Sequence, residues 1–320
     1  MGTKRLWAAL LMAGCLPMIA SAQSSDATVK EIEKYRQTLG DGNPAELWEA
    51  RGEDLWKQKR GPNQVSLEKC DLGKGPGVVK GAYTVLPKYF DDTDKVEDLE
   101  TRLVSCMVML QGISYVDAKK NPFGGPDVKS DMEALVAYIT AQSRGMKMAV
   151  SATHAKEKEA YDIGKQMFYH RGGPHDFGCV TCHGADGKRI RLQDLPNLSR
   201  QADAQRAYTT WPAYRVSQGE TRSFQWRLFD CFRQQRFPEL DFTSQGSVAL
   251  TMFLARNANG GVFSAPSIKR LGAKNEKSHY RTADGDRLCG GACRRRQGRA
   301  GHEVFFQGAR PGQARPSRAG

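Results

Sequence analysis

Apolar residues recur every three to four positions through several stretches of the chain, the period of a helix with one buried face. Val29, Ile32, Tyr35 and Leu39 share one side of a segment spanning 28–57. Inside it, Asn43-Pro44 followed by Glu46 reads as a helix start, with a capping side chain, a proline in the first turn and an acid after it. Leu47, Trp48, Leu55 and Trp56 supply bulk for a core. A Gly-rich loop covers 70–81. Val96, Leu99, Leu103 and Met107 are in phase over 96–109, and Ser130 is placed to cap a third helix carrying Met132, Leu135, Val136 and Ile139. This group ends near Arg144, and a Met-rich bridge over 146–151 leads to a second one. There a helix over 155–170 carries Gly164 and Phe168 four positions apart, the glycine permitting another helix to come close. A closing helix over 247–256 presents Leu250, Phe253 and Leu254. Few β-branched residues alternate with polar ones. The pattern predicts an all-α fold with two units in tandem, 23–150 and 151–270.

Both ends differ from this body. Lys4 and Arg5 precede an apolar run over 6–20, too short to span a bilayer comfortably, and Ala20-Ser21-Ala22 offers a small-x-small cleavage site. Residues 1–22 read as a signal peptide of an exported protein. A lipoprotein cut before Cys15, in Met12-Ala13-Gly14-Cys15, is the competing reading. No other segment has the length and apolarity to cross a membrane. Residues 271–320 are rich in Arg and Gly without helical or strand period, so they are expected to be disordered. Cys289 and Cys293 lie there with no second pair nearby to complete a metal site. The net charge of +13 is concentrated at these ends, +2 in 1–22 and +7 in 271–320, which leaves +4 for the body. That excess is tail composition and gives no nucleic-acid face.

The chemistry centres on Cys179-Val180-Thr181-Cys182-His183. C-x-x-C-H is the attachment signature of c-type haem: two thiols for thioethers and a histidine for the iron. A dithiol oxidoreductase would use Cys179 and Cys182 but leave His183 idle, and half a zinc site would need a second pair nearby. Pro196-Asn197-Leu198 follows, like the loop that packs under the haem in small cytochromes. The first histidine in the chain is His154, so the first unit has no histidine for a haem of its own. Its two cysteines, Cys70 and Cys106, are either a disulfide, the simpler state in an exported protein, or a pair of free thiols.

Elimination addresses the iron's other axial position. Between His183 and the closing helix there is no histidine and no methionine, while Cys231 lies in the interval. A thiolate there would lower the potential and set a nucleophilic sulfur at the metal; the bland reading is a buried free cysteine. Arg222, Arg227, Arg233 and Arg236 surround it in sequence, and Arg227 sits four residues before it, on one face if the segment is helical. A guanidinium grips an oxyanion with paired hydrogen bonds, although arginine clusters are also ordinary solvated faces. Trp211, Tyr214, Phe224, Trp226 and Phe229 either wall the haem edge or serve as core.

From about Glu31 to Arg270 the sequence resembles the SoxA family, the cytochrome subunits of SoxAX complexes. The resemblance is dense over 43–61, 66–81, 178–184 and 218–238, and the run Ser223-Phe224-Gln225-Trp226-Arg227-Leu228-Phe229-Asp230-Cys231 is its most specific part. It implies that Cys231 is the family's haem-ligating cysteine, found as a persulfide, that Arg227 is its substrate-binding arginine, and that Cys179, Cys182 and His183 hold the active-site haem. Where many members carry another C-x-x-C-H, this chain has Cys70-Asp71-Leu72-Gly73-Lys74, like the one-haem branch in which a disulfide replaces the lost haem. The implied activity is that of an L-cysteine S-thiosulfotransferase, which joins thiosulfate oxidatively to a cysteine of the carrier SoxYZ in the periplasm, with a SoxX cytochrome as partner. A plain periplasmic electron carrier is the alternative; it leaves Cys231 and Arg227 without a task.

Overall fold

Side-chain acceptors set most of the helix starts. The computed structural model describes residues 42–269 apart from 126–127 and 191–192, together with Lys34 and Thr38. The expected leader over 1–22, Cys15, the apolar face from Val29 to Leu39, and the tail over 271–320 with Cys289 and Cys293 lie outside the described residues. Among those described, the helices are α1 (Ala45–Lys57), α2 (Leu99–Met109), α3 (Tyr115–Ala118), α4 (Asp131–Ala141), α5 (Ala155–Tyr169), α6 (Cys179–His183), α7 (Gln201–Tyr208), α8 (Phe224–Gln235) and α9 (Gln245–Asn257). Ser130 caps α4 as expected, its hydroxyl accepting from the Glu133 N–H at 3.0 Å, and Ser223 and Ser244 cap α8 and α9 in the same way. At α1 the Asn43 side chain accepts from the Ala45 N–H (3.0 Å), and Glu46 makes no capping box. The helix expected over 96–109 starts later, because Asp98 caps it through the Thr101 N–H and the residues before Asp98 are extended.

Each half is built on one close helix crossing. In the first, Gly52 of α1 sits against the Ala134 carbonyl of α4; in the second, Gly164 of α5 sits against the Ala249 carbonyl of α9. A Cβ at either glycine would overlap that carbonyl. Around these crossings the expected apolar faces are buried, including Trp48, Trp56, Leu99, Leu103, Leu135, Ile139, Phe168, Leu250 and Phe253. Leu47, expected in the core, is 75% exposed, because α1 turns Trp48 inward instead. In the loop over 70–81, Asp71 accepts from the N–H groups of Gly73 (2.6 Å) and Gly75 (2.9 Å), and Arg102 donates to the Asp71 carbonyl. Cys70 and Cys106, each 1% exposed, are joined by a disulfide that ties this loop to α2.

The molecule is helix-rich, but its described residues also form three small sheets that helical periodicity did not signal. β1 (Lys88–Phe90) and β2 (Lys95–Glu97) form a hairpin, as do β3 (Arg189–Ile190) and β4 (Gln193–Asp194). The third sheet has the order β6-β5-β7, with β5 (Ala213–Arg215) antiparallel to β6 (Glu220–Arg222) and parallel to β7 (Ser267–Ile268). Strands of two or three residues are too short to show alternation. The bridge over 146–151 is packed against the chain's later turns: Met148 donates its N–H to Gly261 and accepts from Gly260, while Phe263 donates to Met146.

Candidate functional site

Gly178 is extended, and the chain turns into α6 at once, so Cys179, Cys182 and His183 all belong to one short helix. Leu198 then donates its N–H to the His183 carbonyl (2.8 Å), and Asn197 donates to Asp186 (2.8 Å). The expected Pro196-Asn197-Leu198 loop therefore folds back onto the haem-attachment motif. His183 Nδ1 lies 2.9 Å from the Pro196 carbonyl. A carbonyl only accepts, so Nδ1 carries the proton and donates, which leaves the Nε2 lone pair for a metal. Burial, opposed by the Pro196 contact and aided by the Arg227 charge, holds the imidazole below its ordinary pKa and keeps it neutral.

Cys179, Cys182 and Cys231 are unpaired and partly buried. Burial pushes the Cys179 thiol up to about 12, with Cys231 and Cys182 adding to it, so the three sulfurs share one neighbourhood. Cys231 is raised as well, by burial first, against the opposing charge of Arg227. Bare, it is a protonated thiol at neutral pH and a poor nucleophile. Two unpaired thiols on one helix beside an imidazole with a free Nε2, and a third sulfur close by, form a donor set that fits a c-type haem with sulfur as the other axial ligand.

Helix α8 carries both Arg227 and Cys231, with Asp230 buried beside them. The Asp230 carboxylate accepts from Arg227 (3.1 Å), Arg233 (2.8 Å) and Gln234 (2.7 Å). The sequence-expected arginines divide. Arg227 and Arg233 meet at Asp230, whereas Arg222 turns toward the first half, donating to Glu133 (3.0 Å) and to the Phe123 carbonyl (2.6 Å). Arg236 ends α8 in left-handed conformation and is exposed. Of the aromatic residues, Phe224 packs edge-on to Tyr208 and serves as core, while Phe229 is partly buried against Phe123. Trp226 lies under the guanidinium groups of Arg215 and Arg222.

Sequence reasoning missed Arg215 and Lys269. Arg215 ends β5, and its Nη1 is 3.8 Å from Asp230. Lys269 follows β7 and donates its backbone N–H to the Tyr214 carbonyl (2.9 Å), which sets it beside Arg215. No local spacing relates either residue to Cys231. The first half also holds α8 from below. Gln225 donates to buried Asp98 (2.7 Å), Glu100 accepts from the Gln225 N–H, and Glu133 accepts from the Ser223 N–H.

A family model described as the SoxA/TsdA cytochrome c domain matches residues 51–148, the stretch that has no C-x-x-C-H. The chain is 49% identical over 265 residues to the L-cysteine S-thiosulfotransferase subunit SoxA of Hydrogenophilus thermoluteolus, covering 83% of this chain and 97% of that protein. It is 30% identical over 274 residues to a protein of the same name from Hydrogenobacter thermophilus, covering 83% and 100%. Among solved structures, the crystal structure of SoxXA from P. pantotrophus matches with a TM-score of 0.60 at 25% identity, over 74% of this chain and 84% of that one.

Proposed function

The chain belongs to the SoxA family, and from that premise we propose that it is the subunit of an L-cysteine S-thiosulfotransferase in which Arg227 and Cys231 handle thiosulfate. Haem c is covalently bound, and Cys179 and Cys182 would hold it through thioethers, while His183 Nε2 and Cys231 would hold its iron. When bound, the haem supplies a Lewis-acidic, redox-active iron that favours the deprotonated Cys231 sulfur. The overall change joins the sulfane sulfur of thiosulfate to a carrier thiol, forming one S–S bond and releasing one proton and two electrons. Arg227 holds the dianion by charge-assisted hydrogen bonds. Cys231, as thiolate or persulfide, bonds to the sulfane sulfur and passes the group on. A SoxYZ-type protein offers the carrier thiol, and a SoxX-type cytochrome takes the electrons.

The observation that carries this reading is the placement of Arg227 and Cys231 on α8 with the Cys231 sulfur in the neighbourhood of Cys179 and Cys182. An electron carrier has no use for a cation and a third sulfur at that point, so the transferase reading is favoured over plain electron transfer. The repeated glycine crossing supports two cytochrome c-like units in tandem, with haem only in the second. Among the described residues no helix is long and apolar enough to cross a membrane. The leader expected over 1–22 and the family relation support export to the periplasm.

The test is thiosulfate conjugation beside the haem spectrum. Cys231→Ala is expected to change the low-spin spectrum and abolish transfer. Arg227→Ala is expected to leave the spectrum nearly unchanged and cut turnover about ten- to a hundredfold, the cost of one charge-assisted contact. Arg227→Lys should recover only part, since a point charge does not reproduce the planar fork. A Cys231→Ala protein with wild-type spectrum and turnover would return the electron-carrier reading.

A further inference from the structure

Arg215 is a buried guanidinium short of partners. Its side chain is 14% exposed. Its Nε and Nη1 donors make no hydrogen bond. The carboxylate it faces, Asp230, is 3.8 Å away, while Arg227, Arg233 and Gln234 already donate to Asp230 at 2.7–3.1 Å. Nor is the group free to swing out to water. Its plane lies over the Trp226 ring, 4.7 Å from the centroid, and its backbone is the middle strand of the β6-β5-β7 sheet. Buried polar donors nearly always have partners, and an unpaired charged one is costly. Arg215 is held in place with two donors that no protein group accepts from.

Lys269 adds a second cation at the same spot. The parallel pairing of β5 and β7 aligns Tyr214 with Ile268, so Arg215 and Lys269 leave neighbouring strands side by side. Lys269 is half-buried, and Asp230 forms its ion pairs with Arg215, Arg227 and Arg233, not with Lys269. The charges of Arg215 and Arg227 both act on Lys269, and those of Arg227 and Lys269 act on the Cys231 sulfur, so these groups lie within electrostatic reach of one another. Four cations, counting Arg233, lie about Asp230, while Glu220, the register partner of Arg215 on β6, is paired with Arg222. The imbalance fits an anion of more than one negative charge.

We propose that Arg215 and Lys269 complete the anion site of Cys231, binding sulfonate oxygens together with Arg227 and selecting dianions over monoanions. This rests on the thiosulfate reading given above. Arg215 supplies the planar fork for two oxygens, and Lys269 supplies charge without directional demand. Methanethiosulfonate has the same sulfane sulfur as thiosulfate but one negative charge, and serves as the monoanionic probe.

The experiment uses the haem-loaded full chain with its cytochrome partner and carrier. Arg215→Met and Lys269→Met are compared with wild type by equilibrium dialysis of radiolabelled thiosulfate, by KM and kcat for thiosulfate and methanethiosulfonate, and by the haem spectrum. Arg215→Met is expected to raise both Kd and KM for thiosulfate about tenfold or more with kcat within about twofold, as for loss of uniform binding. Lys269→Met should raise them several-fold. Preference for thiosulfate over methanethiosulfonate should narrow in both, and Arg215→Lys should restore part of it. Wild-type Kd and unaltered preference in Lys269→Met and in Arg215→Met would overturn the proposal while leaving the thiosulfate reading intact. If Arg215→Met fails to load haem, Lys269→Met and Arg215→Lys decide it by the same criterion. Wild-type protein that binds thiosulfate through Arg215 but never conjugates it would overturn the transferase reading and leave the anion site standing.

Discussion

Glu100 is 2% exposed at the start of α2, where its carboxylate accepts from the Gln225 N–H and lies beside Asp98. Burial first, and the Asp98 charge second, push its pKa up to about 8. In the unfolded chain the same group ionises near its ordinary value of 4.5. Between those values the folded state holds a proton that the unfolded state has lost, so this group's contribution to stability is full below about pH 4.5 and fades as pH rises toward about 8. Each pH unit in that window removes up to about 1.4 kcal/mol. Urea midpoints for wild type should therefore fall from pH 6 to pH 8.5, and Glu100→Gln should flatten that slope. An equally steep slope in the variant would assign the effect to other groups. Nothing in the residue pattern signalled this acid as buried, because charge at a helix start ordinarily reads as dipole complementation at the surface. Arg227 and Cys231 were legible because four positions on one helix bring them together without help from the rest of the chain. Arg215 was not, because only the β5–β7 pairing brings it and Lys269 to the same point.

At the scale of elements, the helices and their inward faces were readable from period alone, while the sheets were not. Gly164 was readable as a close-approach site, and Gly52 performs the same task unforeseen. Gly52→Ala and Gly164→Ala are each expected to destabilise by about 1–3 kcal/mol or more, because the obstructing atom is a backbone carbonyl that cannot rotate away. Gly125→Ala is the control, since nothing lies within 4 Å of a Cβ there. Thermal melts should separate the first two variants from the control by several degrees. The elements that carry no chemistry still act on the site. The first turn of α8 is seated on Asp98, Glu100 and Glu133 of the first half, so a unit without its own haem motif fixes the helix that presents Arg227 and Cys231.

Across the whole molecule, the contacts between the halves are buried and polar as well as apolar, including Tyr83 with Tyr208 and Arg222 with Glu133. The disulfide adds about 4 kcal/mol in the chain-entropy model for its 36-residue separation. Its second consequence concerns biogenesis. An exported chain crosses the membrane amino end first, so Cys70 and Cys106 are expected to reach the oxidising compartment, pair and be buried ahead of Cys179, Cys182 and Cys231. The early pair is thereby withdrawn from thiol exchange, so neither Cys70 nor Cys106 competes with Cys179, Cys182 and Cys231 when haem is attached. Cys70→Ser alone should leave Cys106 as a trespasser, lowering haem incorporation and producing mispaired species on non-reducing gels. Cys70→Ser with Cys106→Ser should restore haem loading at a lower melting temperature. The disulfide that stiffens the first half is thus also a sorting step, deciding which cysteines remain available for chemistry.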